Sequence, residues 1–358
     1  CLHKHRHGSS EKTARQQPHS SAMRLLASCW PFLLGLVVAK ENTKIPAGCG
    51  GWQHCMETRR DSEVPLVWFD AWNSTIQPKL DQLLVTSAGQ PEGGWSEKNG
   101  LMLVMAGDST VIQQFQLLSE LVRLRNDFQP VTGPDADRRQ NYELTFGAPK
   151  MTTGSVTFVF YRVFEACMLE TRNPHVKTAH ALYFGCGMHL LHLIPTQSPA
   201  LLKVALRSWT NYETLLTSRV EGYREVNPGI KLVYMTTHAI QESKYFGPWL
   251  DALKGYAERD PAYLDACTKK FHEGLPEGSP ARSNIEQACV DSVFGARGVE
   301  MLNERGITAM QNAGVAMVPA HGLVARQAWA TAFEDGRHYP HLVPLELFLF
   351  LNTIEGLP

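Results

Sequence analysis

Continuous apolar runs constrain this chain more than any other feature. GLMLVMAG (100–107), SVTFVFYRVF (155–164), HALYFGCG (180–187), IKLVYMTTH (230–238) and AGVAMVPAH (313–321) stay apolar almost residue after residue. A strand with one wet face alternates apolar and polar side chains, whereas a strand buried on both faces need not. Stretches of helical period lie between the runs. In TVIQQFQLLSELVRLRNDF, the apolar residues Val111, Phe115, Leu118 and Val122 recur at helical spacing. Further helices are expected near 197–218, 244–257, 285–305 and 343–354. Strands alternating with helices predict an α/β domain, its mostly parallel sheet covered on both sides. That domain runs over 99–358, with 41–98 as a loop-rich N-terminal segment packed on it.

Ahead of the domain, residues 1–22 are basic and polar and start with Cys1, so they read as an extension upstream of a start at Met23. From there MRLLASCWPFLLGLVVAKENTK carries one Arg, an apolar stretch from Leu25 to Ala39 and a polar flank. That is the layout of a secretory signal over 23–40. The stretch is shorter than the about 20 residues of a bilayer span. No clean cleavage site stands out, so a cleaved signal and a retained Golgi-type signal anchor both stay open. The expected setting is extracellular or ER/Golgi-lumenal, with membrane contact only through an uncleaved anchor.

A lumenal chain forms disulfides. Six cysteines remain beyond Cys1 and Cys29, and two pairs close short loops: Cys49 with Cys55, and Cys267 with Cys289. Cys167 and Cys186 lie in apolar surroundings and read as free core thiols. WNSTI places an N-glycosylation sequon at Asn73. Charge is balanced, Lys+Arg 34 against Asp+Glu 35, which argues against a nucleic-acid partner.

Open parallel sheets bind ligands at the carboxyl ends of their strands. The residues that should meet there are Gly107-Asp108-Ser109, Gly185-Cys186-Gly187, Thr236-Thr237-His238 and His321. Ser109 stands where a strand becomes a helix, so its neighbourhood offers backbone N–H groups at the positive end of a helix dipole. A serine hydroxyl is not ionised near neutral pH and needs a base. TAFEDGRHYPHLVPLELFLFL supplies one, with Asp335 three residues before His338. His338 would take the proton, and Asp335 would hold the imidazole tautomer. Asp108 reads as the cap of the helix after Ser109.

VMAGDST together with EDGRHY is similar to the SGNH/GDSL hydrolase superfamily, in particular its branch with an early GDS and a C-terminal DxxH. That branch includes PC-esterases, trichome-birefringence-like polysaccharide O-acetyltransferases and sialate O-acetyltransferases. The resemblance implies a three-layer αβα sandwich with a flavodoxin-like sheet, Ser109 as nucleophile, and Asp335 and His338 as its triad partners. The family adds a Gly and an Asn as oxyanion donors. Here the matching stretch is FGCGMHLLHL, with Gly185 where the Asn belongs, followed by Gly187 and His189. These three are the oxyanion or substrate candidates. One missing donor costs roughly a hundredfold in rate if nothing replaces it.

Other chemistries find less support. Cys186, His189 and His192 have metal-like spacing, yet no second cluster matches them, so no metal and no other cofactor is expected. His238 reads as an active-site-rim residue or a hydrogen-bonded loop histidine. Trp72, Trp95, Trp209 and Trp249 could stack on a sugar, although core or rim packing is the commoner use. The expected activity is serine-dependent ester hydrolysis or O-acyl transfer on an acylated carbohydrate or other small ester. The alternative is a catalytically silent glycan-binding or scaffolding protein of the same fold.

Overall fold

The computed structural model describes residues 63–88, 100–129, 141–147, 154–163, 169–185, 187–193, 209–275, 277–278, 280–331 and 335–357. All of them belong to one compact unit, Ile45–Pro358. The readings of 1–22, of 23–40, and of Cys49, Cys55, Cys167, Cys186 and Trp95 fall outside the described residues. No described helix is long and apolar enough to cross a membrane.

Helix α1 (Glu63–Ala88) precedes strand β1 (Gly100–Gly107), which runs into α2 (Ser109–Arg123). Two edge strands follow, β2 (Phe128–Gln129) and β3 (Asn141–Phe146), then β4 (Ser155–Arg162), the short α3 (Pro174–Thr178) and β5 (Ala181–Gly185). The second half holds α4 (Tyr212–Val226), β6 (Lys231–Met235), α5 (Pro248–Ala257), α6 (Pro261–Gly274), α7 (Ile285–Asp291), α8 (Ala296–Asn312), β7 (Ala316–Val318), α9 (Ala320–Val324) and α10 (Val343–Thr353). Among the described residues, seven strands pair in the order β2-β3-β4-β1-β5-β6-β7. β4, β1, β5, β6 and β7 are mutually parallel, and β3 runs antiparallel to β4. Numbered among themselves, the parallel strands stand in the order 2-1-3-4-5, that of flavodoxin-type doubly wound sheets.

The apolar runs are continuous because each strand faces a helical layer on either side. Val104, Ala106, Leu182, Phe184, Leu232 and Tyr234 point into one core, with α4, α6 and α8 over them. Leu103, Met105, Ala181, Tyr183, Val233 and Met235 point into the other, under α1, α2 and α10. The result is three layers, helix on sheet on helix.

Several boundaries differ from the sequence reading. The segment expected to be loop-rich over 41–98 contains the 26-residue α1. Pro78 inside it looks like a breaker, but Ile76, Leu80, Leu83 and Leu84 are buried against the sheet. Each such side chain contributes about 1.5–3 kcal/mol, enough to override a local preference. The helix expected near 285–305 is two helices, broken at Ser292–Gly295, where His192 and Val293 form a bridge. The helix expected at 197–218 is described from Tyr212 and continues to Val226. Strand β3 and helix α6 were not foreseen. α6 nevertheless carries a legible start, since Asp260 Oδ1 accepts from Ala262 N at 2.8 Å and Pro261 follows the cap.

Candidate active site

Ser109 is the first residue of α2, directly past the end of β1. Asp108 caps that helix as expected: its Oδ1 accepts from Thr110 N at 2.9 Å and from Thr110 Oγ1 at 2.7 Å. β1 lies between β4 and β5 in the sheet, so the chain order reverses there. The crevice at that reversal is where open α/β sheets take ligands.

The turn 335–338 comes to the same edge. His338 Nε2 lies 2.7 Å from Ser109 Oγ, and Nδ1 lies 2.9 and 3.1 Å from the two oxygens of Asp335. A carboxylate only accepts, so Nδ1 carries the proton and Nε2 presents its lone pair to the serine hydroxyl. Both side chains are mostly shielded, 13% exposed for His338 and 19% for Asp335. Residues 229 positions apart therefore form one hydrogen-bonded line.

Three contacts dock this turn on the segment that follows β6. Gln241 N donates to Gly336 O at 2.7 Å, His238 Nδ1 meets Arg337 O at 3.1 Å, and Tyr339 Oη donates to Ala239 O at 2.8 Å. Gly336 has φ +64°, and a Cβ there would lie 2.7 Å from Gln241 O. Only glycine lets the turn close so tightly. Arg337 adds a brace: its Nε is 3.2 Å from Asp335 Oδ1, and its guanidinium packs over Trp249 and Phe294 at 5.2 and 5.7 Å. Sequence reasoning passed over Arg337.

The oxyanion candidates are placed as follows. Gly185 ends β5, in register with Gly107 on one side and Met235 on the other. Gly187 has φ +142°, and a side chain would collide with Leu302 and Thr237. The glycines of FGCG thus have steric reasons to be there, whatever donors they supply. His189 lies within electrostatic reach of the site. Desolvation is the largest cause lowering its pKa; Asp108 opposes it, and Arg337, Arg162 and His338 add to it.

His238 does not face the site rim. It is fully buried, with Nε2 2.9 Å from Glu346 Oε1 on α10, and Gln114 Nε2 on α2 donates to Glu346 Oε2 at 2.8 Å. Glu346 and Gln114 were missed, although a lone acid inside VPLELFLFL was a visible signal. His192 is also fully buried, with Nε2 2.9 Å from Cys289 O. No group of three or more metal-ligating side chains occurs among the described residues. Cys267 and Cys289 are joined, linking α6 to α7. Asn73 lies within α1, its Oδ1 accepting from Gln77 Nε2 at 3.0 Å, so the sequon is helical and not in a loop. Trp72 packs on Phe348 and Trp209 under Arg305, which leaves Trp249 as the indole beside the triad turn among those described. No protein-family model matches the chain, and no curated protein matches it.

Proposed function

We propose that this protein is a serine-dependent acyl-ester enzyme of the SGNH type, an ester hydrolase or an O-acyltransferase working through an acyl-Ser109 intermediate. The observation that carries the reading is the unbroken line from Asp335 through His338 to Ser109 Oγ, at 2.9 and 2.7 Å. Ser109 Oγ attacks the acyl carbon as its proton passes to His338 Nε2. Asp335 stabilises the imidazolium that forms. The first turn of α2 is the positive end of a helix dipole; Asp108 already takes the Thr110 N–H, so an oxyanion there would draw on the Ser109 N–H and on donors from other elements. Gly187 and His189 are the candidates for further donors. Collapse breaks the carbon–oxygen bond to the alcohol, which leaves with the proton from Nε2. Water then attacks the acyl-serine to complete hydrolysis, or a sugar hydroxyl attacks to complete transfer, with His338 again moving the proton.

The resemblance of GDST and EDGRHY favours O-acetyl groups on carbohydrate as the chemistry. The Cys267–Cys289 bond fits an extracellular or lumenal setting. The test is mass-spectrometric mapping after treatment with a fluorophosphonate. The adduct is expected on Ser109. Ser109→Ala should lose both the adduct and turnover of an aryl acetate while melting at the same temperature. A folded chain whose Ser109 stays unmodified would sink the enzyme reading and leave a silent binding protein of this fold.

A further inference from the structure

Behind the triad turn lies a buried polar chain that the proposed chemistry does not use. Gln114 on α2 donates to Glu346 on α10, Glu346 meets His238 Nε2, and His238 Nδ1 meets the carbonyl of Arg337. One end of this chain belongs to the helix that carries Ser109. The other end is the carbonyl between Asp335 and His338. Glu346 and His238 are both 0% exposed. An apolar core would fill the same space at lower desolvation cost, but apolar packing cannot hold a carbonyl at a set distance.

Both ring nitrogens of His238 face acceptors, a carbonyl oxygen and a carboxylate oxygen. A neutral imidazole has one N–H and would turn a lone pair on one of them. At 2.9 Å from Glu346 Oε1, the Nε2 contact is an ion pair once the ring carries its second proton, and only the imidazolium gives both acceptors an N–H.

We propose that His238 and Glu346 are positioning residues that hold the Asp335–His338 turn against Ser109 only while His238 is an imidazolium. The inference rests on the acyl-serine reading for its functional meaning. It makes opposite demands on two histidines, since His338 must be neutral to act as a base and His238 must stay charged. Activity should therefore have an alkaline limb set by His238.

The groups around His238 agree with this. Burial opposes its charge, but Glu346 on α10, the Arg337 carbonyl and Asp108 at the end of β1 together raise its pKa above the ordinary value. His321 on α9 is lowered first by burial, with Glu300 opposing and His238 adding to it. Tyr339 meets the ring edge-on at 5.5 Å, and Tyr183 lies in the field of Glu346.

Histidine-selective NMR on the full chain, from about pH 5 to about pH 9, reads the rings of His238 and His338 directly. The labelling rate of Ser109 by a fluorophosphonate is followed in parallel. His238 should hold both ring protons at neutral pH. Its later deprotonation should shift the His338 ring signal and slow labelling over the same interval. In Glu346→Gln, which keeps an acceptor for Gln114, that interval should move to lower pH. Labelling at neutral pH should then fall by roughly ten- to a hundredfold through misplacement of the base, with the affinity for the probe unchanged. A singly protonated His238 below neutral pH overturns the proposal. So does a His338 signal indifferent to both the His238 titration and the Glu346→Gln change. The ring signals need no turnover, so absence of labelling in the wild type would fault the acyl-serine reading and leave the positioning claim decided by NMR.

Discussion

Asp335 shares one oxygen between two donors: Oδ1 is 2.9 Å from His338 Nδ1 and 3.2 Å from Arg337 Nε. In Asp335→Asn the arginine would claim the amide oxygen and turn the NH₂ toward His338. Nδ1 would then have to accept, which places the ring proton on Nε2, where it blocks transfer from Ser109. The expected loss in kcat is roughly 10³–10⁴-fold, with a remainder from the oxyanion donors and binding. Aryl acetate kinetics check it, and rates near wild type would mean that another acid orients the ring. Ser109, Asp335 and His338 were legible because each is a polar residue at a place where local pattern demands none. Arg337 was not, since an arginine in a turn is ordinary until Trp249 and Phe294 are seen beneath it. Of the two readings of His238, the hydrogen-bonded loop histidine holds; its partner Glu346, 108 positions later by their numbers, was not legible for the same reason.

The helices beyond β6 show what element-level patterns contain. Helices α6 and α7 are separate in sequence but bound by Cys267–Cys289, at a separation of 22 residues. Closing a loop of that size stabilises the fold by about 3 kcal/mol in the chain-entropy view. Cys267→Ala/Cys289→Ala should lower the unfolding free energy by about that much, read from urea midpoints at constant slope. A loss well under about 1 kcal/mol would mean that the unfolded chain is already restricted. The pairing could be read from the cysteines because short loops favour bond formation. The helix break at 292–295 could not be read, because the apolar period runs through it. It exists because Phe294 N donates to His192 O and His192 N to Ser292 O, contacts with a distant loop.

At the scale of the whole molecule, the imidazoles that burial holds neutral weaken the fold in acid. His192 is pushed down to about 4, by burial first, against the Cys289 carbonyl that favours its charge. His175, His180 and His321 are also lowered, each chiefly by desolvation. A base whose folded pKa is depressed binds its proton more readily when unfolded. Stability is thus fully present above the unfolded value near 6.5 and is lost as pH falls toward 4. His192 by itself accounts for a loss of about 3 kcal/mol over that window. Urea unfolding at either end of the window should show it, and His192→Gln should show less. An unchanged midpoint in the wild type would mean that His192 is charged in the native state.

The sequence by itself determined the five parallel strands with helices between them, the cap at Asp108 and the placing of Ser109 at a strand–helix junction. Each of these follows from side-chain period or from contacts a few residues long. Only the tertiary structure decided that β1 and β5 end side by side, Gly107 opposite Gly185, and that the turn 335–338 docks on residues 238–241. It also decided that Glu346 should face His238 inside an otherwise apolar layer. Such contacts join residues whose separation along the chain leaves no local periodicity to read.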